Sequence, residues 1–288
     1  MVLVLAADKD WEQKHWDIKQ AFIQADISED IFVHLCDGCG TWSAKIVLLA
    51  KALCGTKQAS REFNNLFFGT VWIKEQFSIE DCGDIDHSMG SVISRDRIAQ
   101  TVTISQNRYI KSICQGFGMD GAKKRAVPHN PSRTLDKSDH HPSVDENTPY
   151  REAFGCLVWA PVMTRVDIAN AVHEVAKYSS NPKVTHWRAV KCIFVYLNTC
   201  PSVGLSFGGF DTECELSAYA DASYAGDWND RRSVTGGAIM FAGGTMSWMS
   251  KVQRVIALSS TESEYIALCN VAQELLLLRS VVEFIQLQ

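Results

Sequence analysis

No apolar run in this 288-residue chain approaches the roughly 18 residues that a membrane span needs. The longest, Val2 to Ala7 and Leu275 to Leu278, are far shorter. Val2 to Ala7 also lacks the length and the basic flank of a secretory signal, so the expectation is an intracellular protein with no membrane partner. A basic surplus is missing too: Lys and Arg total 28 against 33 Asp and Glu, a formal charge of −5. From Leu216 to Gln288 five basic residues face seven acidic ones. Because phosphate contacts dominate nucleic-acid affinity, this balance argues against tight binding driven by charge alone. The run Lys123-Lys124-Arg125 is the most evident local exception, and it reads as a solvated loop cluster.

Proline is scarce, and four of the seven (Pro128, Pro131, Pro142 and Pro149) fall in the polar stretch from Asp120 to Pro149. That stretch reads as an exposed linker. The ten cysteines show no regular spacing, which points to reduced thiols rather than a disulfide framework. Cys36 and Cys39 form one C-x-x-C, near His34 and Cys54. A zinc knuckle would need a second closely spaced pair, and there is none, so a turn is the simpler reading.

With 46% hydrophobic and 21% charged residues, the chain can bury ordinary cores in one or two domains. Its texture divides it at residues 1–68, 69–119, 120–148, 149–210 and 211–288. Gln100 to Ile104 reads as a strand and Gln106 to Phe117 as an amphipathic stretch. Ile168, Val172, Val175 and Tyr178 recur at helical spacing after Thr164 until Asn181-Pro182. Thr185 is expected to cap a second helix bearing Trp187, Val190, Phe194 and Leu197, which ends before Pro201. Strands are expected at Val203 to Phe207, Glu215 to Ala220, Ser233 to Phe241 and Thr245 to Lys251, with turns at Gly208-Gly209 and Gly243-Gly244. A long helix from about Thr261 to Ile285 follows, presenting Ile266, Leu275, Leu278 and Val282 to the sheet. The class is therefore α/β in the broad sense, with strands and helices segregated.

The tract Leu216-Ser-Ala-Tyr-Ala-Asp221-Ala-Ser-Tyr-Ala-Gly-Asp227 puts an acid at the end of a strand, and Leu258-Ser-Ser-Thr-Glu262-Ser-Glu264-Tyr265 puts others in the first turns of a helix. Ser259-x-x-Glu262 and Thr261-x-x-Glu264 both fit a capping box. Capping is the reading preferred for Glu262. Arg165 and Asp167 read as a helix-start ion pair, with the acid where the dipole favours it. His186 and Trp187 read as core and helix-start residues.

These tracts resemble the ribonuclease H end of copia-type retrotransposon Pol polyproteins. Upstream, Trp16-Asp17-Ile18-Lys19-Gln20-Ala21-Phe22 resembles the first palm motif of the copia-type reverse transcriptase. Leu53-Cys54-Gly55-Thr56-Lys57-Gln58-Ala59-Ser60-Arg61 resembles its nucleotide- and template-proximal segment. Pro149-Tyr150-Arg151, Thr164-Arg165-x-Asp167 and Asn181-Pro182-x-x-x-His186-Trp187 match later stretches in order.

The resemblance implies a partial reverse transcriptase palm at 1–68, a remaining palm or thumb-like segment at 69–119, a linker at 120–148, a helical connection at 149–210 and the first half of a ribonuclease H-like domain at 211–288. It implies RNA-directed DNA synthesis and cleavage of RNA in RNA–DNA hybrids, with RNA template or hybrid, or another polymerase chain, as partners. Asp17, Asp221 and Glu264 would be the catalytic, metal-binding acids, Mg²⁺ the cofactor, and Phe22, Lys57, Gln58 and Arg61 the nucleotide- and template-binding residues. The palm also requires two adjacent aspartates, and no Asp-Asp pair occurs in the sequence. Only nine residues separate Phe67 from Phe77, where that hairpin belongs, and two further ribonuclease H acids are expected beyond Gln288. Both sites are therefore expected to be incomplete. The other readings are a non-catalytic remnant that binds nucleic acid or protein, and an incomplete gene model of an active polyprotein.

Overall fold

The computed structural model describes residues 1–68, 77–129, 135–136, 140–209, 212, 214–227 and 229–286. The segment expected to have lost the palm hairpin therefore lies outside the described residues. The chain is 38% helical and 24% strand, a mixed class, and the named strand pairs are all antiparallel. It forms two compact units, Gln13–Ile85 and the combination of Met1–Glu12 with Asp86–Gln288.

The chain opens with helix α1 (Val2–Asp8), whose Val4, Leu5, Ala6 and Ala7 are buried. The smaller unit holds strand β1 (Lys14–Ile18), helix α2 (Ala21–Gln24), strands β2 (Phe32–His34) and β3 (Ile46–Leu48), helix α3 (Ala59–Phe68) and strand β4 (Ile79–Asp84). Two two-stranded ladders, β1–β4 and β2–β3, make up its sheets. One cluster of its core consists of Ala25, Ala52 and Ala59, with Phe22, Phe63 and Leu66 half-buried around them. Three alanines remove little apolar surface from water, so the aromatic side chains supply most of the contact area there.

The larger unit continues with β5 (His87–Ser88), β6 (Ser91–Asp96), β7 (Thr101–Ser105), α4 (Asn107–Gly116), α5 (Tyr150–Met163), a 3-10 turn (Val166–Ile168), α6 (Ala169–Ala176) and α7 (Val184–Thr199). Then come β8 (Gly204–Gly208), β9 (Leu216–Ser223), β10 (Val234–Phe241), β11 (Gly244–Val252) and α8 (Ser260–Gln286). Helices α4 to α7 share one core that includes Ile110, Leu157, Ile168, Val172, Phe194 and Leu197. Strand β8 joins the sheet β5-β6-β7-β8 through Thr101↔Gly208 to Ser105↔Gly204. Helix α1 packs where Phe207, Phe241 and Val282 meet.

Two local expectations change. Helix α5 has no counterpart in the sequence reading, because its segment is apolar on nearly every side and carries Gly155 and Pro161, which mask a 3.6-residue stripe. Tertiary contact holds it: Tyr150 Oη donates to the Val175 carbonyl at 2.8 Å. Thr185 does not cap α7. The cap lies two residues earlier, at Lys183, whose N–H donates to His186 Nδ1 at 3.0 Å, and Thr185 is buried inside the first turn.

Helix α8 lies on the three-stranded sheet β11-β10-β9. Val282 is buried and Ile266, Leu275 and Leu278 are half-buried, while Tyr265, Leu268, Leu276, Leu277 and Phe284 are exposed. Within Ser260–Ile285 an 18-residue stretch has a mean hydropathy of 1.4, so the helix is long and apolar enough to cross a membrane by length and composition. The count of contiguous apolar residues passed over it because Glu274 and Arg279 interrupt the run.

Candidate functional site

The three-stranded sheet fixes where Asp221 points. Directly opposed residues in an antiparallel ladder share a face, and neighbours along a strand alternate. Ala222 pairs with Thr235, and Ala220 with Gly237. Thr235 Oγ1 accepts a hydrogen bond from Gln253 Nε2, which also donates to the Ser263 carbonyl of α8. A Cβ on Gly237 would lie 2.5 Å from Val271 Cγ2 of the same helix. The even-numbered side of β9 therefore faces α8, and Asp221 faces away from it.

Asp221 is exposed and lines a pocket of about 280 Å³ with Val166, Ala169 and Asn170, on the side of α6. Glu264 is exposed in the early turns of α8. The glutamate two residues before it is tied into the helix start instead. The Glu262 N–H donates to Ser259 Oγ at 3.1 Å, and the Leu258 N–H donates to Glu262 Oε2 at 2.7 Å. Glu262 thus closes the first turn, as the sequence pattern suggested.

Asp227, at the end of the same tract, is buried. Its Oδ2 lies 2.7 Å from Lys177 Nζ, which also meets Glu174 at 2.7 Å. Burial alone would raise the Asp227 pKa, but the Lys177 ammonium and the Asn229 N–H outweigh it and hold the carboxyl below its ordinary value. Arg165 and Asp167 form the expected pair, with Arg165 Nη2 2.6 Å from Asp167 Oδ2 and Nε 2.9 Å from Oδ1. Tyr196 Oη adds a bond to the same carboxylate, and Arg165 Nη1 donates to the Cys200 carbonyl. His186 stacks on Tyr178 at 3.8 Å between ring centroids.

In the smaller unit Asp17 sits on β1 opposite Glu80 and is exposed, at a pocket shared with Lys19, Gln20, Gln24 and Ser78. Phe22 packs edge-to-face on Phe63 at 5.8 Å. Lys57 is exposed. Gln58 Nε2 and Arg61 Nη2 both donate to Glu29, at 2.8 and 2.6 Å, and Arg61 also meets Glu62 at 2.9 Å. The hydrogen bond from Arg61 holds the Glu29 carboxyl below its ordinary range and in turn raises the guanidinium. Arg61, expected among the nucleotide- and template-binding residues, is engaged by two carboxylates.

A two-Mg²⁺ site needs several carboxylates converging on one point. Among the described residues no group of three or more His, Cys, Asp or Glu side chains could hold a metal ion, so the residues present do not fit the two-metal centre that the resemblance implies. A cationic feature did escape sequence reading. Arg125, His129 and Arg188 line a cavity of about 430 Å³ with Glu174, the acid paired to Lys177. Arg188 lies on α7, with α5 and α6 between it and the Lys123-Lys124-Arg125 run, and spacing along the chain gives no sign that they converge.

The chain is 31% identical over 96% of its length to the retrovirus-related Pol polyprotein from transposon TNT 1-94 of Nicotiana tabacum. The chain belongs to the copia-type retrotransposon Pol polyproteins. It is also 27% identical over 96% of its length to the Pol polyprotein from transposon RE2 of Arabidopsis thaliana. A third relative, the secreted RxLR effector protein 161 of Plasmopara viticola, is 43% identical over 45% of this chain and 90% of its own length. This Pol segment spans about a quarter of the tobacco polyprotein and 22% of the RE2 polyprotein. The tobacco alignment extends over 334 positions, more than the 288 of the segment, so the relative holds residues for which this chain has no counterpart. No protein-family model matches the chain, and no solved structure matches it significantly.

Proposed function

We propose that the chain is the segment of a copia-type Pol polyprotein running from the reverse transcriptase palm into ribonuclease H, and that it binds nucleic acid without synthesising DNA or cutting RNA. The carrying observation is the register of β9, which turns Asp221 away from the helix bearing Glu264. Carboxylates that hold two ions must share one small volume, and an acid on the other face of the sheet does not contribute to it. In the palm-like unit the absence of an adjacent aspartate pair and the seating of Phe22 on Phe63 support the same reading. The cavity lined by Arg125, His129 and Arg188 supports retained anion binding, since its two guanidiniums outnumber its one acid, Glu174.

The test uses the whole chain with labelled substrates and Mg²⁺. Primer extension on an RNA template and cleavage of an RNA–DNA hybrid are both expected to be absent. Extension that Asp17→Asn abolishes, or hybrid cutting that Glu264→Gln abolishes, overturns the claim of inactivity. Hybrid binding, read by fluorescence anisotropy, should weaken as salt rises and weaken further in Arg188→Glu. Binding unchanged in that variant would remove the cavity from the proposal while leaving the catalytic result to stand.

A further inference from the structure

Cys36 and Cys39 belong to neither expected centre. They occupy the loop that joins β2 to β3, and its base is closed by the Leu35 N–H donating to the Lys45 carbonyl at 2.9 Å and the Ala44 N–H to the Leu35 carbonyl at 3.2 Å. Gly38 and Gly40, on either side of Cys39, have φ of 106° and 62°. That backbone is open to glycine and strained for other residues, and it folds the loop back until the two sulfurs are 3.9 Å apart. Both thiols are free, Cys36 exposed and Cys39 half-buried.

We propose that Cys36 and Cys39 form a thiol–disulfide exchange site whose co-reactant is a small soluble disulfide of the glutathione class. A disulfide bond is about 2.05 Å long, so the sulfurs must approach by roughly 2 Å, a movement that a residue flanked by two glycines can make by backbone rotation. The Cys36 thiolate attacks one sulfur of the small disulfide. Its S–S bond breaks, a mixed disulfide forms on Cys36, and one thiolate leaves and takes a proton from water. Cys39 then loses its proton to solvent and attacks the Cys36 sulfur, which forms the Cys36–Cys39 bond and expels the second small thiol. Two electrons pass from the cysteine pair to the small disulfide, which leaves as two thiols.

The order of attack follows from the geometry. Cys36 is the more exposed sulfur and meets a soluble reagent first. The hydrogen bond with Cys36 raises the Cys39 pKa, which is consistent with Cys39 acting as the second, resolving sulfur. A structural zinc site is a poorer use of the pair, because such a site takes four ligands and the described residues bring no third one to it. The product would be a small exposed ring, the kind of disulfide that is readily reduced.

The experiment incubates the folded full chain with oxidised glutathione, blocks remaining thiols and maps peptides by mass spectrometry. Cys54, Cys82 and Cys269 are also exposed and serve as internal controls. The expected result is a linked Cys36–Cys39 peptide that forms several-fold faster than glutathione adducts at the controls and disappears with excess reduced glutathione. In Cys39→Ser the mixed disulfide on Cys36 should persist, whereas Cys36→Ser should react several-fold more slowly at Cys39. Adducts spread evenly over the exposed thiols with no internal bond, or equal rates in the two variants, would overturn the proposal. The wild-type comparison among thiols decides the matter even if a variant folds poorly.

Discussion

The helical core of the larger unit and the alanine cluster of the smaller one show two ways of holding a chain together. Phe194, Leu157, Ile168 and Leu197 are fully buried in the first. The second centres on Ala25, Ala52 and Ala59, and its aromatic rings are only half covered. The electrostatics divide in the same way. Arg165 is buried and held by Asp167 and a carbonyl, whereas Arg61 forms its ion pairs in solvent. The larger unit therefore relies on contacts that leave a cavity or a bare charge when removed, and the smaller on contacts that water can replace.

The sharpest test of this contrast is Phe194→Ala, which should cost about 3–5 kcal/mol through lost burial and the cavity left behind. Phe63→Ala should cost clearly less. Hydrogen exchange read separately over residues 13–85 and 86–288 would measure both, and equal losses would break the distinction. Arg165→Ala should follow closely at about 3–5 kcal/mol, because it leaves the largely covered Asp167 carboxylate uncompensated. Arg61→Ala should produce a much smaller shift in urea midpoint, one that vanishes in high salt.

Acid sharpens the same comparison. Burial would raise the pKa of Asp167 and Asp227, but the hydrogen bonds from Arg165 and Lys177 outweigh it and hold both carboxyls below their ordinary 3.8. A carboxyl depressed in the folded state contributes stability above its unfolded value and loses it as pH falls through the folded one. The larger unit should thus lose urea resistance below about pH 4, and Lys177→Met should make that loss shallower. A loss on raising pH from 4 to 7 would contradict the assignment.

Gly237→Ala should cost about 1–3 kcal/mol by overpacking, since its Cβ would meet Val271 and Met249 at 2.5 and 2.9 Å. The smallest effect is expected at the start of α8, where Ser259→Ala removes one capping bond and should lower the thermal midpoint in proportion to about 0.5–2 kcal/mol. Glu264→Ala, which leaves that cap intact, should change stability less, and the reverse order would mean that Glu264 holds the helix start.

The helix start and the ion pair were legible because their signals are local. The Ser259-x-x-Glu262 pattern and the Arg165-x-Asp167 pair each lie within a few residues, and the structure displays both. Helix α5 was not legible, because an apolar segment with an internal proline has no stripe to read. The convergence of Arg125 with Arg188 was not legible either, since the two lie on different elements and spacing along one element cannot place them together.

By itself the sequence determined the family, the order of strands and helices after residue 164, and the faces of α8, because hydrophobic period and capping chemistry act over one or two turns of chain. Tertiary structure alone decided that α1 packs with Phe207 and Val282, and that β8 extends a sheet begun a hundred residues earlier. It also decided that Asp221 lies across the sheet from α8. Those outcomes depend on which distant segment covers a given face, and a pleated strand offers both of its faces equally until another element packs against one.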